Sequence, residues 1–443
     1  MFFLNEFALE KEGFQKHLQS LFEQSNFHHD EVFELRKKAW TRFLQLGLPD
    51  KNSEIYRYIK LRQLFCQQPT FFSSKNSLTK KEIEKFIQPE CKDSFIVFVN
   101  GNYCSELSNT KAVPSSVAIL SLQEAMATYG TFLTNQWSKS IKEEKDAFAL
   151  LNSALHQQGA FIYVPPKTVC SATIQILNFL QEEQSNSLLL TNPRLQLFIG
   201  AQSEANFLIC QKQSDPHAQL INQLIEVSLE ESARAHFSQL YYEQPALSWK
   251  FSAFRATLKR NAYLKTLCIS EGSATTRMDY HVTLTGENSE ASLNGLCMVK
   301  EKREAHTNIC IEHQAPHCRS HQLFKSILND FGKTSFEGKI LVKQAAQKTE
   351  AFQLNNNLLL SDYAHADSKP NLEIFADDVK ASHGATVGQL DQEQLFYMKT
   401  RGFSHAIATN LLVFGFCEQI ITMIAIPSIK KAVAFRAHHY LME

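Results

Sequence analysis

The sequence contains little glycine and none of the glycine-rich motifs that bind nucleotides. Only 15 of its 443 residues are glycine, and no G-x-G-x-x-G follows a predicted strand. The triplet Gly332-Lys333-Thr334 matches the end of a P-loop, but Ile327 stands where that loop needs its first glycine. Without this glycine the backbone amides cannot fold around phosphates. We therefore predict a turn before the strand FEGKILV, and no nucleotide site in this chain.

The chain also has no net charge and no clear membrane or export segment. Lys+Arg and Asp+Glu both number 45, so nucleic acid and membrane surfaces are not expected partners. The longest apolar stretch, residues 406–426, contains Asn410, Glu418 and Gln419, which are costly in hydrocarbon. It is predicted to be a buried or partner-binding helix. The first residues lack a basic n-region and a long apolar h-region, so no signal peptide is expected.

No two cysteines form a C-x-x-C pair, and the ten cysteines are spread along the chain. This usage is typical of reduced, buried thiols in a cytoplasmic protein rather than of a disulfide framework. One group of potential metal ligands lies within sixteen residues, but its spacing matches no common zinc pattern, and its side chains are expected on different faces. The group consists of His306, Cys310, His313, His317, Cys318 and His321.

Hydrophobic periodicity divides the chain into three parts. Residues 1–92 are predicted to be helical, with Asp30 capping a helix that Gly47 ends. Residues 93–390 change to a period of two, which predicts many short strands. Helix-like patches interrupt this part around residues 120–160 and in HCRSHQLFKSILNDF. Residues 391–443 return to a helical period, with Asp391 and Ser404 as predicted N-caps.

A strand region of this length can be a sandwich or a β-solenoid, since both are built from short half-buried strands. Two features favour the solenoid. About 290 residues exceed a normal sandwich, and Asn355-Asn356-Asn357 could form stacked amide ladders.

The stretch DDVKASHGAT, residues 377–386, places two adjacent carboxylates, a lysine and a histidine within seven residues, which could be a catalytic site, a metal site or a polar turn after a strand. Asp377 and Asp378 together suggest a polysaccharide-cleaving site, but sequential residues of a strand point to opposite faces and cannot flank one bond. His383 is the remaining candidate ligand or proton-transfer group.

The run PNLEIFADDVKASHGATVGQLDQEQLFYMKTRGF, preceded by FEGKILVKQAAQKTEAFQLNNNLLLS, resembles the SufB/SufD family of iron–sulfur cluster assembly proteins. The resemblance is dense from about Ser320 to Phe416 and weaker in AWTRFLQLGLPDKNSEIYRYIKLRQL. Within that family, HGATVG and the GLP-containing N-terminus are of the SufD kind. Two positions depart from the family: Ala381 stands where cysteine is frequent, and Tyr56 where tryptophan is usual.

The resemblance implies a right-handed parallel β-helix flanked by N-terminal and C-terminal helical domains. It further implies a heterodimer with SufB through the β-helix edge and a SufC ATPase bound at the C-terminal helices. Candidate SufB contacts are Asp377, Asp378, Ser382, His383 and Gly384. Candidate SufC-docking residues are Phe396, Tyr397, Arg401, Ile407, Leu411 and Phe414.

On this reading, the chain is a non-enzymatic scaffold with no stably bound cofactor. A transient iron or iron–sulfur cluster would form at the SufB/SufD contact. Since Ala381 offers no thiolate, His383 is the only ligand in the motif, and the thiolates would come from SufB. Asp377 or Asp378 would hold the last turn or pair with the partner. Flavin involvement and a homodimer of the isolated chain stay open, and the alternatives are a β-helical polysaccharide-acting enzyme and a homo-oligomeric β-solenoid binding module.

Overall fold

Two mainly parallel sheets form the centre of the molecule, and each ends in one antiparallel pair of strands. The computed structural model describes residues 2–25, 32–50, 53–72, 78–181, 187–213, 217–241 and 247–440. Asp30, the predicted cap, lies outside these ranges. The described helices are α1 (Phe2–Gln24), α2 (Phe33–Leu46), α3 (Arg62–Phe65), α4 (Lys80–Glu84), α5 (Leu122–Glu143), α6 (Ala147–Leu155), α7 (Gln392–Thr400), α8 (His405–Thr422) and α9 (Pro427–His439).

The strands of the described ranges follow in chain order. They are β1 (Pro69–Phe71), β2 (Phe95–Val99), β3 (Asn102–Asn109), β4 (Ala118–Ser121), β5 (Ala160–Val164), β6 (Val169–Leu180), β7 (Leu188–Thr191), β8 (Arg194–Ile199), β9 (Glu204–Gln213), β10 (Gln219–Leu229), β11 (Arg234–Tyr241), β12 (Ser248–Leu258), β13 (Tyr263–Ser270), β14 (Thr275–Leu284), β15 (Glu290–Val299), β16 (Glu304–His313), β17 (Arg319–Leu328), β18 (Lys333–Val342), β19 (Thr349–Leu359), β20 (His365–Ile374) and β21 (Val379–Gly388).

From β8 to β21, sheet membership alternates along the chain. Sheet A has the spatial order β20-β18-β16-β14-β12-β10-β8-β5-β4, with β7 beside β10 and β1 beside β7. Sheet B has the order β21-β19-β17-β15-β13-β11-β9-β6-β2-β3. The antiparallel pairs are β4–β5 in sheet A and β2–β3 in sheet B. Each pair of consecutive strands therefore makes one turn of a β-solenoid, and about seven turns are stacked. This arrangement confirms the predicted mainly β, solenoid-type fold.

Short corners join each strand of sheet A to the next strand of sheet B. The corners that follow β5, β8, β10, β12, β14, β16 and β18 each contain one non-glycine residue with φ between 56° and 61°, the left-handed region that turns the chain sharply. These residues stack from turn to turn, and the Nδ2 of Asn288 donates to the Oδ1 of Asn261 at 2.8 Å. The residues at these corners are Lys167, Gln202, Ser232, Asn261, Asn288, His317 and Lys348.

The main core lies between the two sheets. Inward positions of successive strands stack on one another, as Phe207 and Phe237 do with ring centroids 4.8 Å apart. Phe254 and Tyr280 continue this stack from sheet A. The regular alternation of buried inward residues is the physical origin of the period of two in the sequence.

A second core joins the N-terminal helices to α5 and α6, against the outer face of sheet A. Trp40 and Phe43 of α2 belong to the same buried cluster as Trp137 of α5 and Phe148 of α6. α5 and α6 occupy most of the 120–160 segment that was predicted to be helical. The N-terminal segment also contains β1, which pairs with β7, although only helices were predicted there.

A buried network of charged side chains ties these helices to the solenoid. The Nη1 of Arg277 on β14 lies 2.8 Å from the Oδ2 of Asp146, and its Nη2 lies 2.9 Å from the Oδ1 of Asp279. Arg255 adds a 2.6 Å contact to Asp279. Burial alone would raise the pKa of the Asp279 carboxyl, but the two guanidinium groups hold it well below its usual range. The network therefore stays ionised.

Asp146 also connects the charged network to the start of α6 and to Tyr56. Its Oδ1 accepts from the backbone N–H groups of Phe148 and Ala149 and so caps α6. Its Oδ2 accepts from the hydroxyl of Tyr56 at 2.7 Å. Tyr56, the position noted above as departing from the family's tryptophan, therefore serves as a buried aromatic anchor with a polar end.

Two local predictions were wrong. The segment HCRSHQLFKSILNDF is not helical, because residues 319–328 form β17. Both faces of this strand are covered, with Phe324 inside the solenoid and Leu323 and Ile327 against the C-terminal helices, which hides the strand alternation. The amides of Asn355–Asn357 also do not stack from turn to turn as predicted: Asn355 donates to the backbone carbonyl of Phe324, and Asn357 donates to the Oδ1 of Asn355 within the same strand.

Candidate functional site

The last turn of the solenoid leaves two strand edges unpaired. Among the described strands, β20 pairs only with β18, and β21 pairs only with β19. Three apolar side chains are exposed beside these edges: Ile374 at 36%, Phe375 at 61% and Val387 at 49%. We call β20, β21 and the turn between them the open end. Unpaired edges with exposed apolar side chains favour strand addition by another chain.

Asp377 and Asp378 lie in the turn between β20 and β21, just before the strand rather than inside it. Both are exposed. The backbone N–H of Asp378 donates to the Oε1 of Gln347 at 3.0 Å, and its carbonyl accepts from the backbone N–H of Lys348. The contacts that hold this turn in the described structure therefore involve the backbone of Asp378, while the two carboxylates face the surface.

His383 lies in the middle of β21, opposite Gln353 of β19. Gln353 points into the solenoid, where it is 3% exposed. Residues paired in register on parallel strands point to the same face, so His383 also points to the interior side, at the open end. Ala381, two residues earlier, packs beside Ala351 in the last small cluster of the core. Only the absence of a covering turn leaves His383 exposed.

Ser382 and Gly384 flank His383 but belong to the opposite face of β21. Ser382 pairs with Phe352 and Gly384 with Leu354, and these two partners are 40% and 37% exposed. The structure therefore divides the motif. His383 lies on the interior side of β21 at the open end, whereas Ser382 and Gly384 lie on the outer face.

The open end supplies two exposed imidazoles, His383 on β21 and His365 on β20, and no thiol. None of β19, β20 and β21 contains cysteine, and within the described ranges no three His, Cys, Asp or Glu side chains are placed to hold a metal ion together. The ten cysteines are free thiols. Burial raises the pKa of Cys297 and of Cys417 to about 12, so these thiols are neutral at pH 7. Any thiolate ligand near His383 must therefore come from outside the last three strands of this chain.

The group of histidines and cysteines between residues 306 and 321 is distributed over several faces. On the outer face of sheet A, the Nδ1 of His306 lies 2.8 Å from the Oγ of Ser335. His313 is buried, and its Nε2 lies 2.9 Å from the Oγ of Ser320. His317 occupies one of the left-handed corners. These side chains do not converge on one point.

α7 and the start of α8 carry four large exposed apolar side chains. Phe396 is 68% exposed, Tyr397 56%, Phe403 43% and Ile407 46%. We call these residues the α7–α8 surface. The guanidinium of Arg401 lies over the Tyr397 ring at 4.9 Å and donates to its hydroxyl at 2.9 Å. Sequence reasoning identified Phe396, Tyr397 and Ile407 but missed Phe403, which follows the helix-ending Gly402.

Two of the predicted SufC-docking residues are not exposed like the others. Leu411 and Phe414 are partly buried, and Phe414 packs against the cluster between α8, α9 and sheet B. The buried side of α8 instead includes Ala408, Val413, Cys417 and Ile420. Apolar residues occur on several sides of this helix, so its sequence offers no single stripe. The predicted caps are confirmed: Asp391 accepts from two backbone N–H groups of α7, and Ser404 from one of α8.

α8 and α9 are fixed to the outer face of sheet B. The Nζ of Lys325 on β17 donates to the carbonyl of Phe416 at 3.0 Å. The hydroxyl of Tyr440 donates to the carbonyl of Val299 at 2.6 Å, and Arg436 pairs with Glu271 at 2.7 Å. Within the described ranges, no helix has the length and apolar content to cross a bilayer, and α8, which covers most of residues 406–426, is packed on the sheet.

Comparisons with known proteins agree with this architecture. The SUF system FeS cluster assembly SufBD core domain matches residues 179–416, and the SufBD protein N-terminal region matches residues 12–176. The chain is 29% identical to an iron–sulfur cluster assembly SufBD family protein of Synechocystis over 426 residues, which cover 94% of this chain and 93% of that protein.

Two further relatives carry more specific names. The chain is 27% identical to the iron–sulfur cluster assembly protein SufD of Escherichia coli, covering 89% of this chain and 90% of SufD. It is 22% identical to the iron–sulfur cluster assembly protein SufB of Bacillus subtilis, covering 87% of this chain and 84% of SufB.

Proposed function

Since the chain belongs to the SufBD family of iron–sulfur cluster assembly proteins, we propose that it is a non-catalytic scaffold subunit of SufD type. It pairs with a SufB-like chain at the open end and binds a SufC-like ATPase through the α7–α8 surface. The observation that carries this proposal is the open end itself, which combines two unpaired edges with an exposed imidazole, His383, on the interior side of β21.

Pairing at the open end is supported by hydrogen-bonding and apolar burial together. A partner strand added to β21 or β20 would satisfy edge N–H and C=O groups that otherwise bond only to water. It would also cover Phe375 and Val387, two of the most exposed apolar residues beside these edges. A SufB-like chain is the proposed occupant, because SufB of Bacillus subtilis aligns over most of this chain and is therefore expected to end in a similar edge.

Iron or an iron–sulfur cluster is the cargo of this contact rather than a resident cofactor. His383 supplies an imidazole ligand, which iron–sulfur sites accept in place of a thiolate. The thiolates come from the SufB-like chain, since the last three strands of this chain contain no cysteine. Asp377 and Asp378, whose carboxylates face the surface, pair with cationic groups of the partner. The free, mostly buried thiols support a cytosolic location for this assembly.

Movement of the SufC-like ATPase, driven by ATP, reaches His383 through the C-terminal helices. The ATPase contacts the α7–α8 surface, and α8 packs on β15 and β17 of sheet B. β17 is two strands from β21 within the same sheet. A shift of α8 is therefore transmitted through β19 to the strand that carries His383.

Co-expression of the chain with a SufB-like and a SufC-like protein tests the proposal. We expect the three proteins to co-purify and the complex to contain iron and sulfide. His383→Ala should lower the iron and sulfide content while the complex stays intact. His365→Ala is the matched control, since His365 is an exposed histidine on the other edge strand, 3.3 Å from Asp367.

Two results would contradict the proposal. Equal iron and sulfide content in the parent and His383→Ala complexes would exclude the ligand role. Purification as a homo-oligomer in the presence of both candidate partners would favour a β-solenoid binding module, in which a second copy occupies the open end.

A further inference from the structure

A row of polar side chains inside the solenoid leads to His383. Gln322 of β17, Gln353 of β19 and His383 of β21 are paired in register, so their side chains follow one another along the same interior line. Gln322 is 0% and Gln353 3% exposed. The Nε2 of Gln353 donates to the Oε1 of Gln322 at 2.9 Å. The first two members of the row thus form a buried carboxamide ladder that stops beneath the imidazole.

The carboxamide of Gln353 is held in place from the opposite sheet. Gly338 of β18 has no side chain at this point, and a Cβ there would lie 1.7 Å from the Nε2 and 2.7 Å from the Cδ of Gln353. The side chain therefore extends across the interior against the bare backbone of Gly338. Its conformation is fixed between Gln322 on one side and Gly338 on the other.

One atom of this carboxamide remains without a partner in the described structure. The Oε1 of Gln353 is buried and accepts no hydrogen bond. Such an unsatisfied carbonyl costs about 1–3 kcal/mol, so a donor within reach is strongly favoured. The next side chain along the row is His383, whose neutral imidazole has one N–H donor and one acceptor nitrogen.

We propose that Gln353 is the positioning residue for His383: its Oε1 accepts a hydrogen bond from one ring N–H of the imidazole. This bond selects one neutral tautomer and one ring orientation. The second ring nitrogen then presents its lone pair toward the open end, where iron is bound. Carbonyl partners of this kind commonly orient metal-binding histidines. This inference rests on the proposed iron-ligand role of His383.

The tautomer of His383 tests the hydrogen bond without any metal. In the full-length chain labelled with 15N-histidine, ring nitrogen shifts at pH 8 report the tautomer, and His383→Ala identifies the signals. Gln353→Met keeps the length of the side chain and removes the carbonyl. Asn357→Leu is the matched control, since Asn357 is a buried amide of the same strand, 4% exposed, that pairs with Val387 instead of His383.

We expect one dominant tautomer in the parent and in Asn357→Leu, and a mixture in Gln353→Met. Identical tautomer populations in all three proteins would overturn the inference. In the co-purified complex, Gln353→Met should weaken binding of ferrous iron by roughly ten- to a hundred-fold, while Asn357→Leu should not. If His383→Ala leaves iron binding unchanged, the ligand role fails, and the tautomer measurement still decides the role of Gln353.

Discussion

Replacing Phe396 with alanine should weaken binding of the ATPase by about two orders of magnitude. Phe396 is 68% exposed, and an aromatic side chain offers roughly 200 Å² for burial, so about 140 Å² becomes covered when the ATPase docks. At about 20–25 cal/mol per Å² this burial contributes roughly 3 kcal/mol, a value typical of interface hot spots. Since each 1.4 kcal/mol is tenfold, the Kd should rise about 100-fold.

Titration calorimetry or surface plasmon resonance with the purified ATPase measures this effect. Phe435→Ala is the control, because Phe435 on α9 is 59% exposed but lies outside the α7–α8 surface. Removing either exposed ring should leave folding stability nearly unchanged. An unchanged Kd for Phe396→Ala, or an equal loss for Phe435→Ala, would refute the assignment of this surface. Deleting residues 391–443 is less informative, since α8 and α9 cover an apolar cluster of sheet B.

Two further predictions concern stability and are measured by urea unfolding. Arg277→Met should cost about 3–5 kcal/mol because it leaves buried carboxylates unpaired, and Asp146→Asn in the same chain should recover part of the loss; an unchanged unfolding free energy would contradict the network. Burial lowers the pKa of His313 to about 4, so the unfolded chain, with its imidazole pKa near 6.5, binds the proton first as pH falls. Stability should therefore drop between pH 6.5 and 4 by up to about 3 kcal/mol, and His313→Gln should reduce this drop, whereas an identical pH profile would exclude His313 as its source.

Sequence periodicity predicted the fold class because each solenoid strand repeats a local rule. Alternation of inward and outward residues is visible within a few positions, and the caps at Asp391 and Ser404 need only three or four residues. The rule failed at residues 319–328, where both faces are buried and Leu323 and Ile327 occupy positions that a helix could also use. The sequence pattern of a strand that is buried on both faces is the same as that of a buried helix, so only its tertiary contacts distinguish the two.

The candidate site was less accessible to sequence reasoning. Family resemblance identified His383, but nothing in the sequence links it to Gln353 or to Gly338, since in a solenoid the contacting residues lie about one full turn apart along the chain. The pairing register decides such contacts, and that register is known only when the corners are known. The ion network of Arg277 and Asp146 was missed for the same reason.

The open end has a consequence for how the cell must handle this protein. A chain with two exposed strand edges is a template for uncontrolled strand addition, and this hazard grows with the concentration of unpartnered copies. Production of the chain in step with its partner would keep that concentration low. Excess copies would then be removed by self-association or by proteolysis. The abundance of the subunit should therefore follow the abundance of the partner chain that pairs with its open end.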